Sequence, residues 1–137
     1  MKYDLIFYMS RKTSNCEKRI EQYLSPFGFE ENRVISCTAP VELGEILCKS
    51  LTLCHLCIVV GGLMHDSDEN ISTVLSRVFS NAGISLQNIR KLQSESGLTG
   101  YLVRYKSQAI VVFPDSPDDI EEMLDNKLAD YLQKSFI

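Results

Sequence analysis

Leu56–Val60 constrains the fold more than any other stretch: five apolar residues in succession, β-branched at the end, running into Gly61-Gly62. A strand without polar alternation has no face to give to water, so it belongs in a sheet covered on both sides. The flanking sequence supplies the cover. Ser14 with Glu17 three residues later has the pattern of a capping box, opening a helix with Cys16, Ile20, Tyr23, Leu24 and Phe27 on one face and Gly28 as its stop. Pro40 suits a first helical turn, and Leu43, Ile46, Leu47, Leu51 and Cys54 follow at helical spacing. Beyond the diglycine, Ile71, Val74, Leu75, Val78, Phe79 and Ala82 repeat the pattern, closed by Gly83.

Strands are expected at Asp4–Met9 and Arg33–Cys37, and the spacing of Tyr101–Tyr105 and Ala109–Phe113 predicts a hairpin. Ser116 reads as the N-cap of a last helix, with Pro117 in its first position and Ile120, Met123, Leu124, Leu128, Tyr131 and Leu132 on its buried face. Strands alternating with helices predict a three-layer α/β/α domain over residues 1–137, with a mostly parallel sheet and an antiparallel hairpin. At 137 residues and 45% hydrophobic content, such a chain buries roughly 70% of its unfolded surface and needs no staple. In sheets of this kind ligands sit at the carboxyl ends of the strands. Two loops qualify, Gly61–Asn70 and Pro114–Asp118.

Charge narrows the partners. Residues 1–60 carry seven acids and seven bases, whereas residues 61–137 carry eleven acids and seven bases, so the net charge of −4 lies in the second half. Six acids fall between Asp115 and Asp125 with no base among them. Such a surface repels phosphate backbones and anionic lipid heads, so neither nucleic acid nor a membrane is an expected partner. The longest apolar run, Leu56–Leu63, is far shorter than the ~20 residues that cross a bilayer. Asp4 directly before the first apolar stretch does not suit a signal peptide, and a cytoplasmic location is expected. The five cysteines have no framework spacing and read as buried small hydrophobes. Cys54-His55-Leu56-Cys57 has the spacing of a zinc or redox pair but lacks a second pair.

The two candidate loops carry a resemblance. Val60-Gly61-Gly62-Leu63-Met64-His65-Asp66-Ser67-Asp68-Glu69-Asn70-Ile71-Ser72 is similar to a family pattern of buried strand, Gly-Gly-Leu-Gly-Pro-Thr, two acids, an aliphatic residue and Thr. Ser96-Gly97-Leu98-Thr99-Gly100, a hairpin, and Phe113-Pro114-Asp115-Ser116-Pro117-Asp118-Asp119-Ile120 resemble a second pattern, Gly-Thr-Ala-Pro-Gly and then Leu-Pro-Gly-x-Pro. The spacing from Gly100 to Pro114 equals that pattern's, and Tyr131-Leu132 matches its tail. By these residues the chain resembles the molybdopterin-binding fold family, and within it the N-terminal domain of competence/damage-inducible CinA more than MoaB or MogA. Three departures stand out: Met64 and His65 replace Gly-Pro, Asp115 replaces a glycine, and Met9-Ser10-Arg11-Lys12 replaces a Gly-Asp-Glu loop.

The resemblance implies a cleft for a phosphorylated pterin or nucleotide. Its ligand-binding residues would be Gly61, Gly62, Leu63, His65, Asp68, Glu69, Ser72, Gly100, Pro114, Asp115, Ser116 and Asp119. Glycines let backbone N–H groups approach oxyanions, and a helix N-terminus adds partial positive charge. Asp68, Glu69 and Asp119 match the family's acidic positions and would hold Mg²⁺ or substrate. Read from the residues alone, the same three acids are helix N-cap and first-turn acids, and His65 is a solvated loop histidine, an acid/base group or a metal ligand. Asp115 brings a negative charge into the supposed anion site, so the catalytic motifs read as partly lost. A phosphate-binding domain, a non-catalytic interaction or assembly module on the same fold, and a metal-dependent pyrophosphatase of the ADP-ribose type all remain open. Adenylyl transfer in molybdenum-cofactor synthesis would require the intact loop. Assembly as a homo-oligomer is expected from the resemblance alone.

Overall fold

The computed structural model describes residues 1–11, 13–63, 75–77, 80, 88–105 and 107–135. In chain order the elements are β1 (Lys2–Tyr8), α1 (Thr13–Leu24) with a 3-10 turn (Ser25–Phe27), β2 (Glu30–Cys37), α2 (Pro40–Leu53) and β3 (Leu56–Val60). They continue with β4 (Asn88–Gln93), β5 (Thr99–Tyr105), β6 (Gln108–Phe113) and α3 (Pro117–Met123), which passes through a π-helical turn (Leu124–Leu128) into α4 (Ala129–Ser135). Leu75, Ser76 and Arg77 are helical as well. No described helix is long and apolar enough to cross a membrane.

Six strands form one sheet in the order β2-β1-β3-β6-β5-β4. The pairs β1–β2, β1–β3 and β3–β6 are parallel, and β4–β5 and β5–β6 are antiparallel. Alternation along each strand divides the interior into two cores. Leu5, Phe7, Ile58, Val60 and Val111 face α1, α3 and α4, whereas Ile6, Tyr8, Cys57, Val59 and Val112 face α2 and Leu75. All five residues of β3 are buried, as a strand enclosed by helices requires. The expected three layers and mostly parallel sheet are present.

The structure corrects several details. The antiparallel part is a three-stranded meander, because β4 adds an edge strand where no strand was expected. Its sequence, Asn-Ile-Arg-Lys-Leu-Gln, is mostly polar, and Ile89 is 52% exposed, as befits an edge. α1 begins at Thr13, so Ser14 lies inside the helix and is not its cap. Strand β2 starts at Glu30, three residues earlier than its apolar pattern shows. Cys54 is not on the face of α2 but caps its end, its N–H bonding to the Ser50 carbonyl at 2.8 Å. Pro40 does take the first position of α2, after Ala39.

Candidate functional site

The chain runs from β1 out to β2 on one side and then crosses to β3 on the other, so α1 and α2 pack on opposite faces. Such a reversal opens a crevice outside the carboxyl ends of the two central strands. Here those ends are Met9–Arg11 after β1 and Gly61–Leu63 after β3. Gly61 and Gly62 take φ of +105° and +76°, in the left-handed region. A Cβ on Gly61 would stand 2.1 Å from the Tyr8 carbonyl oxygen, so only glycine passes this point. The Gly61 N–H donates to the Phe113 carbonyl at 3.0 Å, which ties the ends of β3 and β6 together. Among the described residues, nothing accepts from the N–H groups of Gly62 and Leu63.

Beside this crevice, a cavity of about 250 Å³ opens at the ends of β1 and β2, lined by Met9, Ser10, Ser36, Cys37, Thr38 and Glu42. Met9 itself adopts φ +54°, which turns the chain out of β1 while its N–H donates to the Cys37 carbonyl at 3.1 Å. Burial, reinforced by the charge of Glu42, pushes the Cys37 thiol up to about 11, so it lines the cavity as a neutral group.

The second loop is bound to its surroundings by its own acids. Pro114 is buried. The Asp115 carboxylate accepts from the Ser10 hydroxyl at 2.7 Å, the Arg11 N–H at 2.8 Å and the Cys16 thiol at 3.7 Å. Asp119, only 9% exposed, accepts from the Ser96 hydroxyl at 2.5 Å on one oxygen and from the Ser116 hydroxyl on the other. Ser116 is the N-cap of α3 in position, but its hydroxyl serves Asp119 rather than a backbone N–H. Glu122 accepts from the Glu95 N–H at 2.8 Å, and Arg19 of α1 bridges Asp118 at 3.1 Å and Glu121. Tyr23 donates to Glu121 at 2.7 Å, and this bond is the main reason its hydroxyl titrates above the ordinary tyrosine value. The acidic run is thus largely an internal clamp.

Of the residues marked in the sequence, Gly61, Gly62, Leu63, Pro114, Asp115 and Ser116 gather at one end of the sheet. Asp119 joins them by packing α3 against the β4–β5 turn. Gly100 lies within β5, where a Cβ would come 2.5 Å from the Val112 carbonyl oxygen, so close packing of β5 on β6 accounts for it. His65, Asp68, Glu69 and Ser72 lie outside the described residues. Ser10 and Arg11, which the sequence marks only as a departure from the Gly-Asp-Glu loop, meet the second departure at Asp115 through the Ser10 hydroxyl and the Arg11 backbone N–H. No three His, Cys, Asp or Glu side chains among the described residues converge as metal ligands, and both Asp119 oxygens already hold serine hydroxyls. The Cys54–Cys57 pair is buried, and burial pushes the Cys57 thiol up to about 12.

No protein-family model and no curated protein matches the sequence. Solved structures do. CinA from Thermoplasma acidophilum, a protein of unknown function, superposes with a TM-score of 0.72 at 13% identity, over 94% of this chain and 96% of that one. MogA superposes at 0.65 with 18% identity, over 99% of this chain and 97% of its own. The molybdopterin biosynthesis enzyme MoaB from Thermus thermophilus gives 0.65 at 13% identity, over 98% and 96%. The chain has the fold of the CinA and MogA/MoaB proteins, as the loop motifs implied.

Proposed function

We propose that this chain binds a phosphorylated small molecule, a nucleotide or a pterin phosphate, in the crevice between the ends of β1 and β3. The observation that carries this reading is the Gly61-Gly62 turn, whose left-handed backbone leaves the Gly62 and Leu63 N–H groups without a described acceptor at the switch point of the sheet. Backbone N–H groups freed by glycine are the usual partners of phosphate oxygens. The adjoining cavity supplies the Ser10, Ser36 and Thr38 hydroxyls, which suit a hydroxylated group such as ribose. The shared fold with molybdopterin biosynthesis proteins places pterin phosphates among the ligands to test.

A second reading, a non-catalytic interaction module, is favoured by Asp115 and Asp119, whose carboxylates are held by the chain's own donors. Thermal shift with ADP-ribose, NAD, ATP and pterin phosphates, each with and without Mg²⁺, separates the two. A ligand at 100 times its dissociation constant adds about 2.7 kcal/mol of stability, a shift of several degrees. Gly62→Val should remove that shift. Absence of any shift in the wild-type chain overturns small-molecule binding and leaves the interaction module. Release of AMP from ADP-ribose in the Mg²⁺ samples would establish the pyrophosphatase alternative.

A further inference from the structure

The reach of Asp115 has a consequence for the crevice. β1 and β6 are the two neighbours of β3 in the sheet. A bond between the loops that follow them therefore spans the end of β3, where Gly61 and Gly62 lie. Asp115 makes that bond with one carboxylate oxygen on the Ser10 hydroxyl, at 2.7 Å, and the other on the Arg11 N–H, at 2.8 Å. Two donors, each meeting its own oxygen of one anionic group, form a seat with the geometry of oxyanion recognition. The seat stands just ahead of α1, a twelve-residue helix whose N-terminal potential adds to it. The contact lies at the edge of the core: Ser10 and Asp115 are half-buried, Arg11 is exposed, and the Cys16 thiol reaches Asp115 from the interior, at 3.7 Å. Ser10 also lines the neighbouring cavity.

We infer that Asp115 is a latch, an internal oxyanion that occupies the Ser10–Arg11 seat and competes with a phosphate group for it. Exchange of one oxyanion for another leaves the Ser10 and Arg11 donors satisfied, and the bond given up is the long one from the Cys16 thiol, 3.7 Å from the same Asp115 oxygen as Ser10. An intramolecular competitor lowers the apparent affinity for an external anion by the fraction of time the seat is open. The latch thus sets the affinity of the crevice for phosphorylated ligands, and it rests on the reading that the crevice binds them.

Titration of the full chain with inorganic pyrophosphate, followed at the backbone amides, tests both. In Asp115→Ala the Arg11 amide should shift with pyrophosphate, and the dissociation constant should fall at least tenfold relative to wild type. Asp115→Asn, which keeps an acceptor for the Arg11 N–H without the charge, should give a smaller gain and guards against a fold lost in the alanine variant. Asp118→Ala removes a nearby charge outside the seat; an equal gain there assigns the effect to bulk electrostatics and overturns the latch. Response of Gly62 and Leu63 with equal affinity in all forms, and none at Arg11, overturns the latch but keeps the crevice. Response at Arg11 of Asp115→Ala without Gly62 or Leu63 keeps Asp115 as the occupant of an anion seat but overturns the crevice, and with it the latch's control of ligand affinity there. Silence at all three amides overturns both.

Discussion

Asp4 is fully buried in β1, and everything around it is arranged to keep it charged. Arg33 donates through Nε at 3.2 Å and Nη2 at 2.9 Å, Asn32 donates at 2.9 Å, and the Cys54 thiol approaches to 3.6 Å. Burial alone would raise the carboxyl pKa, but the hydrogen bonds from Arg33, Ser50 and Asn32 outweigh it and hold the group below its ordinary value. A depressed folded-state pKa contributes stability that is fully present above the unfolded value, about 3.9, and is lost as pH falls through the folded value. Asp4→Asn should cost about 1–3 kcal/mol at pH 7, because the buried acceptor loses its charge-assisted hydrogen bonds from Arg33 and Asn32, while the partly exposed guanidinium turns to water. The gap between variant and wild type in urea unfolding should narrow at pH 3 and below. An unchanged gap would assign the acid limb of stability to other carboxylates. In the sequence Asp4 is merely an acid beside an apolar stretch. Its partner becomes visible only in the β1–β2 register, which shifts between Tyr3 and Asp4 and sets Asp4 opposite Arg33.

At the scale of elements, α3 is the hub of the candidate site. Its first turns hold the β4–β5 turn through Asp119 and Glu122, and they hold α1 through Asp118 and Glu121. The turn adds its own bonds, Ser94 N–H to the Leu98 carbonyl and Gly97 N–H to the Ser94 carbonyl, both at 3.0 Å. Asp119→Ala leaves the Ser96 and Ser116 hydroxyls without their shared acceptor, a loss of about 1–3 kcal/mol. Hydrogen exchange should quicken at Ser96–Leu98 while the amides of β3 keep their protection. Equal quickening in β3 would show that the clamp supports the whole sheet rather than the turn. Because β4 is joined to the sheet only through β5, this clamp also steadies the edge strand that the apolar pattern did not announce.

The whole molecule is two cores on either side of one sheet, and its thiols report on both. Cys16 belongs to the core beneath α1, and Cys37 and Cys57 belong to the core beneath α2. Cys54 is buried as well, and only Cys48 of the five is exposed. Burial pushes Cys37 to about 11 and Cys57 to about 12, which keeps both protonated near neutrality. With a thiol reagent at pH 8, one cysteine should react at once and the other four at the slow rate of opening. All five should react together in denaturant. A second rapid thiol would place one of the cores closer to solvent than the packing shows.

Hydrophobic pattern by itself determined the three layers, β3 as a fully enclosed strand, the packed faces of α1, α2 and the C-terminal helices, and the diglycine at the strand end. These follow from burial and backbone sterics, which act on residues close in sequence and leave a periodic mark there. The edge strand β4, the pairing of Asp4 with Arg33, and the use of the acidic run as a clamp were decided by the tertiary structure. So was the bond from Asp115 to Ser10, 105 residues away. A charged side chain carries no periodicity that names its partner, and strand order and register alone bring the two groups within hydrogen-bond reach.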